Sequence, residues 1–117
     1  MLGCRGEGRD AQPLLVLAAA SLTGALDAAQ VAYEAYSGEE LTVVFGSSGN
    51  LAAQIRHGAP ADVYISANES FFDRLASDGF LDPGTRVDVA VGRLALVVPA
   101  GHPRVERLGA LWEEWRA

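Results

Sequence analysis

Apolar positions fall along this chain in two rhythms that take turns. Leu14-Leu15-Val16-Leu17-Ala18 is an unbroken apolar run, which predicts a strand buried on both faces, as in a parallel sheet. From Ser21 onward, Leu22, Leu26, Ala29, Tyr33 and Tyr36 recur at three- and four-residue steps and predict one helix face, with Gly38 as its stop. Leu41 to Phe45 is β-branched and aromatic and predicts a second strand. Leu51 and Ile55 then mark a short helix after Ser48, ending at Gly58. Gly58-Ala59-Pro60 breaks the chain before a third strand, Val63-Tyr64-Ile65. Ser70, with Asp73 three residues on, resembles a capping box for a helix over 71–78 that Gly79 closes, and Asp82-Pro83-Gly84 reads as a turn. Two more strand-like runs, 86–91 and 94–98, flank Gly92-Arg93, and Leu108, Leu111, Trp112 and Trp115 share one face of a final helix. Strand and helix alternate, so the fold class is α/β: a mostly parallel sheet flanked by helices, with its ligand side at the carboxyl ends of the strands.

Composition narrows the picture. With 117 residues, half of them apolar, the chain is long enough for one compact domain with its own core. None of its apolar runs reaches the ~18 to 20 residues of a membrane span. A formal charge of -6 without a Lys/Arg cluster argues against nucleic acid as a partner. It leaves a small anion open, because hydroxyls and peptide dipoles in contact with a ligand are hardly screened by salt. The one cysteine, Cys4, excludes an internal disulfide, and His57 and His102 have no partner at zinc-ligand spacing. Met1-Leu2-Gly3-Cys4 looks like the tail of a bacterial lipoprotein signal, with 5–13 as a polar tether; the alternative is a disordered amino terminus with a free thiol.

The candidate chemistry lies at two strand-to-helix junctions. The first strand runs through Ala18-Ala19-Ala20 into Ser21, and the second through Gly46 into Ser47-Ser48-Gly49. Each joins a serine hydroxyl to the unpaired N–H groups of a helix's first turn, a neutral donor cluster suited to an oxyanion. A lone serine in either place reads as an N-cap or a turn; both together, each beside small residues that admit a ligand to the backbone, point to one anion site.

Ala18-Ala19-Ala20-Ser21-Leu22, Phe45-Gly46-Ser47-Ser48-Gly49-Asn50-Leu51, Gln54-Ile55 and Gly58-Ala59-Pro60-Ala61-Asp62-Val63-Tyr64-Ile65-Ser66-Ala67 follow the order and spacing of the molybdate-binding proteins of ABC importers. The resemblance covers Leu14 to about Pro99. It implies a type II periplasmic binding protein fold of two lobes, with molybdate or tungstate held in the cleft by hydroxyl and backbone N–H donors and no direct ligand to the molybdenum. The family's first serine falls on Ser21 and the second on Ser48, and Ser47 is a further serine of the same turn. By the same resemblance the chain is a receptor that docks on a permease driven by an ATPase, needs no cofactor, and works in the periplasm or anchored outside the cytoplasmic membrane through a lipidated Cys4. Its organisation is then a leader over 1–13, a first lobe over 14–91, and a hinge crossing with the start of a second lobe over 92–117. The family's remaining donors, a tyrosine among them, come from the other lobe, so the expectation is a fragment whose terminal tryptophans belong to a partly missing lobe.

Other residues read more plainly. Asp62 is expected to fix the turn or the start of the third strand, Tyr64 to lie in the core, and His57 to sit exposed at a helix end. Two other functions fit part of the pattern. A serine hydrolase using Ser48 would need Gly-x-Ser-x-Gly, but Asn50 stands where the second glycine belongs, and neither His57 nor His102 with Glu106 gives a convincing triad order. An anion-sensing regulatory domain would ordinarily carry a basic DNA-reading segment, which this sequence lacks.

Overall fold

The computed structural model describes residues 12–93 together with 95, 97, 99–101 and 113. Three strands, β1 (Leu14–Ala19), β2 (Leu41–Gly46) and β3 (Val63–Ile65), alternate with helices α1 (Thr23–Ser37), α2 (Ser48–Arg56) and α3 (Glu69–Ser77). One-turn 3-10 helices occupy Ala20–Leu22 and Pro83–Thr85. The apolar run from Leu14 is the central strand of an all-parallel sheet ordered β2-β1-β3, and its last four residues, Val16 to Ala19, are buried.

The first crossover steps outward from β1 to β2 and the second steps back past β1 to β3, so crossovers of one hand put α1 and α2 on opposite faces of the sheet. The core lies on the α2 side. Leu17, Leu51, Ala52, Ile55 and Leu75 form it, and Leu15, Tyr64, Phe71 and Leu81 pack around its rim. Register explains the membership: Leu17 is the cross-strand partner of Tyr64, and strand alternation keeps Leu15 on the same face.

Asp62 ties the third strand to the first, as the sequence predicts. Its carboxylate accepts the Leu15 N–H at 2.9 Å, and its own N–H donates to the Leu15 carbonyl at 2.9 Å. Gly38, Gly58 and Gly79 follow the three helices at φ +73°, +91° and +80°, the left-handed backbone that a side chain disfavours.

Several expectations need correction. Ser70 does not cap α3; the cap is Asn68, whose side-chain oxygen accepts the Ser70 N–H at 2.9 Å, and the helix starts at Glu69. Tyr36 is 93% exposed although its spacing assigns it to the apolar face. Gln30 and Glu34 already meet Leu41, the first residue of β2, so Tyr36 lies past the end of the strand that supports α1. The run 86–91 is not a strand: it has no partner in the described sheet, and Val87, Val89 and Val91 are 75%, 71% and 94% exposed. The chain divides into two compact units, one ending at Arg86 and the other beginning at Val87. Cys4 and most of its leader, the bulk of the 94–98 run, His102, and the helix carrying Trp112 and Trp115 lie outside the described residues.

Candidate functional site

All three strands end at one edge of the sheet. Ala19 pairs with Gly46, and Ala18 pairs with both Phe45 and Ile65, so the turns holding Ser21, Ser47-Ser48 and Ser66-Ala67 leave the sheet side by side. Adjacent strands stand roughly 4.8 Å apart. The order β2-β1-β3 also makes this edge a reversal point, where the connections from β1 and β2 run in opposite directions, the place at which open parallel sheets bind their ligands.

Ser21 is exposed in the middle of the Ala20–Leu22 turn, and α1 proper begins two residues later at Thr23. It is therefore not the cap of α1. No side chain caps this turn; Thr23 bonds back to it, its hydroxyl donating to the Ala20 carbonyl at 2.7 Å and its N–H to the same oxygen. The Ser21 hydroxyl makes no side-chain hydrogen bond within the protein among those formed by the described residues.

The second junction divides its work between its two serines. Ser47 is the N-cap of α2, and its exposed hydroxyl oxygen accepts the Asn50 N–H at 3.2 Å. Ser48 is the first residue of the helix and is buried, at 9% exposure. Its hydroxyl oxygen accepts the Ala67 N–H at 3.0 Å, and the Tyr64 hydroxyl donates to its carbonyl at 2.8 Å. Ser48 follows β2 yet is bonded to residues on and just after β3. The start of α2 therefore spans the carboxyl end of β1, the strand that delivers Ser21.

A hydroxyl that accepts a backbone N–H still has its proton to give. Ser47 and Ser48 are both in that state. Ser66, in the third turn, is not: its hydroxyl donates to the Asn68 carbonyl at 2.6 Å and accepts the Asn68 N–H at 3.1 Å. The three turns, 20–22, 46–50 and 66–68, contain no ionisable side chain. What they offer is a neutral set of hydroxyl and N–H donors, which can hold an acceptor-only anion without charge pairing.

Two roles escape a reading of the sequence. Tyr64 belongs to the rim of the core, but its hydroxyl reaches the Ser48 carbonyl; the signal was there, since a strand tyrosine facing inward needs a partner for its O–H. Ala67 acts only through its N–H, which no side-chain pattern reveals. His57 is exposed at the C-cap of α2, as expected, and its Nδ1–H donates to the Ala53 carbonyl at 2.7 Å. It stands at the far end of a nine-residue helix from Ser48, roughly 13 Å along the axis at 1.5 Å per residue, so it is no base for that hydroxyl.

A family model described as bacterial extracellular solute-binding protein matches residues 14–115. The molybdate-binding protein ModA of Escherichia coli is 36% identical over 90 residues, covering 77% of this chain and 35% of that protein. ModA of Mycobacterium bovis is 33% identical over 100 residues, covering 85% of this chain and 38% of the relative. Among solved structures, the periplasmic molybdate-binding protein of Azotobacter vinelandii superposes with a TM-score of 0.58 at 35% identity, covering 61% of this chain and 31% of the other. The chain thus spans about a third of the length of the curated relatives it matches.

Proposed function

The chain belongs to the bacterial extracellular solute-binding proteins, and on that premise we propose that it is the solute-binding component of an ABC importer for molybdate or tungstate. One observation carries the reading: two serine-bearing turns with no ionisable side chain stand together at the carboxyl end of β1, within a segment similar to molybdate-binding proteins. Ser21 and Ser48 supply hydroxyl donors, Ser47 a further one, and the N–H groups of the same turns complete the set.

The cargo's chemistry suits those donors. Molybdate and tungstate are tetrahedral dianions without a proton, so every useful partner donates, and an ionised carboxylate would repel them. Hydrogen phosphate carries a hydroxyl that needs an acceptor, and these turns hold no carboxylate to supply one, while one lone pair on each of Ser47 and Ser48 already receives a backbone N–H. The metal is enclosed in its oxygens and takes no protein ligand. Delivery to a permease driven by an ATPase, a site of action outside the cytoplasmic membrane, and tethering through a lipidated Cys4 belong to the same proposal.

The test is a titration of the 15N-labelled protein with molybdate, tungstate, sulfate and phosphate in parallel. Saturable amide shifts at Ser21, Leu22 and Ser47 to Asn50 with the first two anions are expected. Shifts elsewhere only, or equal shifts with all four anions, overturn the reading.

A further inference from the structure

Ser48 is held by two hydrogen bonds that both come from the third strand. The Ala67 N–H donates to its hydroxyl oxygen at 3.0 Å, and the Tyr64 hydroxyl donates to its carbonyl at 2.8 Å. Tyr64 lies on β3 opposite Leu17, on the sheet face that carries the core, and is half-buried there. Its ring is thus anchored by packing while its hydroxyl stands at the first turn of α2. As the first residue of α2, Ser48 directs its carbonyl along the helix, where an intrahelical N–H takes one lone pair and leaves the other for Tyr64.

We infer that Tyr64 is a positioning residue: with the Ala67 amide it clamps Ser48 to the third strand so that the serine presents its proton to the bound anion. The inference rests on the proposed oxyanion function and adds to it the source of the preference for a proton-free ligand. Free to turn about χ1, a serine hydroxyl donates or accepts as its surroundings ask, and so serves protonated and unprotonated anions alike. A hydroxyl whose oxygen receives a fixed N–H keeps its one proton to offer but only one of its two lone pairs. Clamping therefore halves the acceptor capacity of Ser48 and leaves its donor capacity whole, which biases it toward an anion without a hydroxyl. Ser66 shows the contrast within the same edge of the sheet: its hydroxyl closes both bonds inside its own turn and is lost to any ligand.

Tyr64→Phe removes the one hydroxyl and keeps the ring. Molybdate and phosphate titrations of the wild type, Tyr64→Phe, Ser48→Ala and the double variant form a cycle that separates an effect acting through Ser48 from general loosening. Tyr64→Phe is expected to weaken molybdate three- to tenfold, to lower the molybdate-to-phosphate ratio, and to have no further effect once Ser48 is alanine. An unchanged affinity and ratio in Tyr64→Phe, or an equal loss on both backgrounds, overturns the positioning role and leaves the oxyanion function standing. Failure of the wild type itself to bind molybdate overturns both. A measurement on the free protein covers the case of a poorly folding variant: the Ala67 amide should exchange slowly with deuterium in the wild type and at least tenfold faster in Ser48→Ala, and fast exchange in the wild type overturns the clamp.

Discussion

At Gly49 a methyl group would lie 3.0 Å from the tip of the Phe71 ring, and at Gly46 one would lie 3.1 Å from Leu51, which is itself 1% exposed. Both glycines flank the second serine turn, so the close packing that seats the turn leaves little room for side chains beside it. Gly49→Ala should cost about 1–3 kcal/mol by forcing the ring outward. Gly24→Ala should do the opposite. Nothing lies within 4 Å of a methyl at that position and its backbone is helical, so a gain of about 0.4–1 kcal/mol is expected from the reduced freedom of the unfolded chain. Urea midpoints of the two variants should move in opposite directions, and a shared direction would contradict the packing account. The serines separate in the same way. Ser21→Ala and Ser48→Ala each remove a donor to a charged ligand, about 1.5–3 kcal/mol, and should raise the molybdate concentration needed for the amide shifts about ten- to a hundredfold. Ser66→Ala should leave those shifts intact because its hydroxyl is already spent within its own turn.

Element by element, the strands were the most legible part of the sequence. The unbroken apolar run at Leu14 announced a central strand, because two-sided burial leaves no polar position to blur the pattern, and β-branched composition announced the partly exposed β2 and β3. Helix starts were less legible. Asn68 outcompetes Ser70 as the cap of α3, and a 3-10 turn intervenes between Ser21 and α1, since several small polar residues in a row offer the backbone more than one place to begin. Of the candidate site, the serine-bearing turns were visible in the sequence. The clamp on Ser48 was not, because it joins residues 16 and 19 positions apart through a backbone carbonyl and a backbone N–H. The junction of α1 with β2 is equally tertiary and carries its own prediction. Glu34 accepts the Leu41 N–H at 3.0 Å and the Gln30 amide at 3.1 Å, and these bonds, the first foremost, hold its carboxyl below the ordinary value of 4.5. A lowered carboxylate contributes stability at pH values above its unfolded value and loses it as pH falls through the folded one. The gap in urea midpoint between the wild type and Glu34→Gln should therefore stay constant at neutral pH and close as pH drops below 4.5; a gap independent of pH would remove the charge from this account.

For the whole molecule, the affinity of this chain taken by itself follows from counting donors. Ser21, Ser48 and the N–H groups of their turns offer about four bonds to the anion, and at ~1.5–3 kcal/mol each the gross gain is roughly 6–12 kcal/mol. Association costs about 4–15 kcal/mol in lost translation and rotation alone. The two ranges overlap, so the net is small, and a millimolar dissociation constant already needs about 4 kcal/mol of surplus. Water left beside the ligand weakens each bond further relative to an enclosed cleft. The relatives are about three times as long, and a second set of donors closing over the anion would both raise the gain and exclude that water. Calorimetry on the 117-residue chain should accordingly find molybdate binding only in the millimolar range, while joining it to the remaining two thirds of a relative should strengthen binding by several orders of magnitude. Submicromolar affinity in the chain alone would mean that the edge of one sheet supplies far more than four donors, and the assignment of the site to these turns would have to be redrawn.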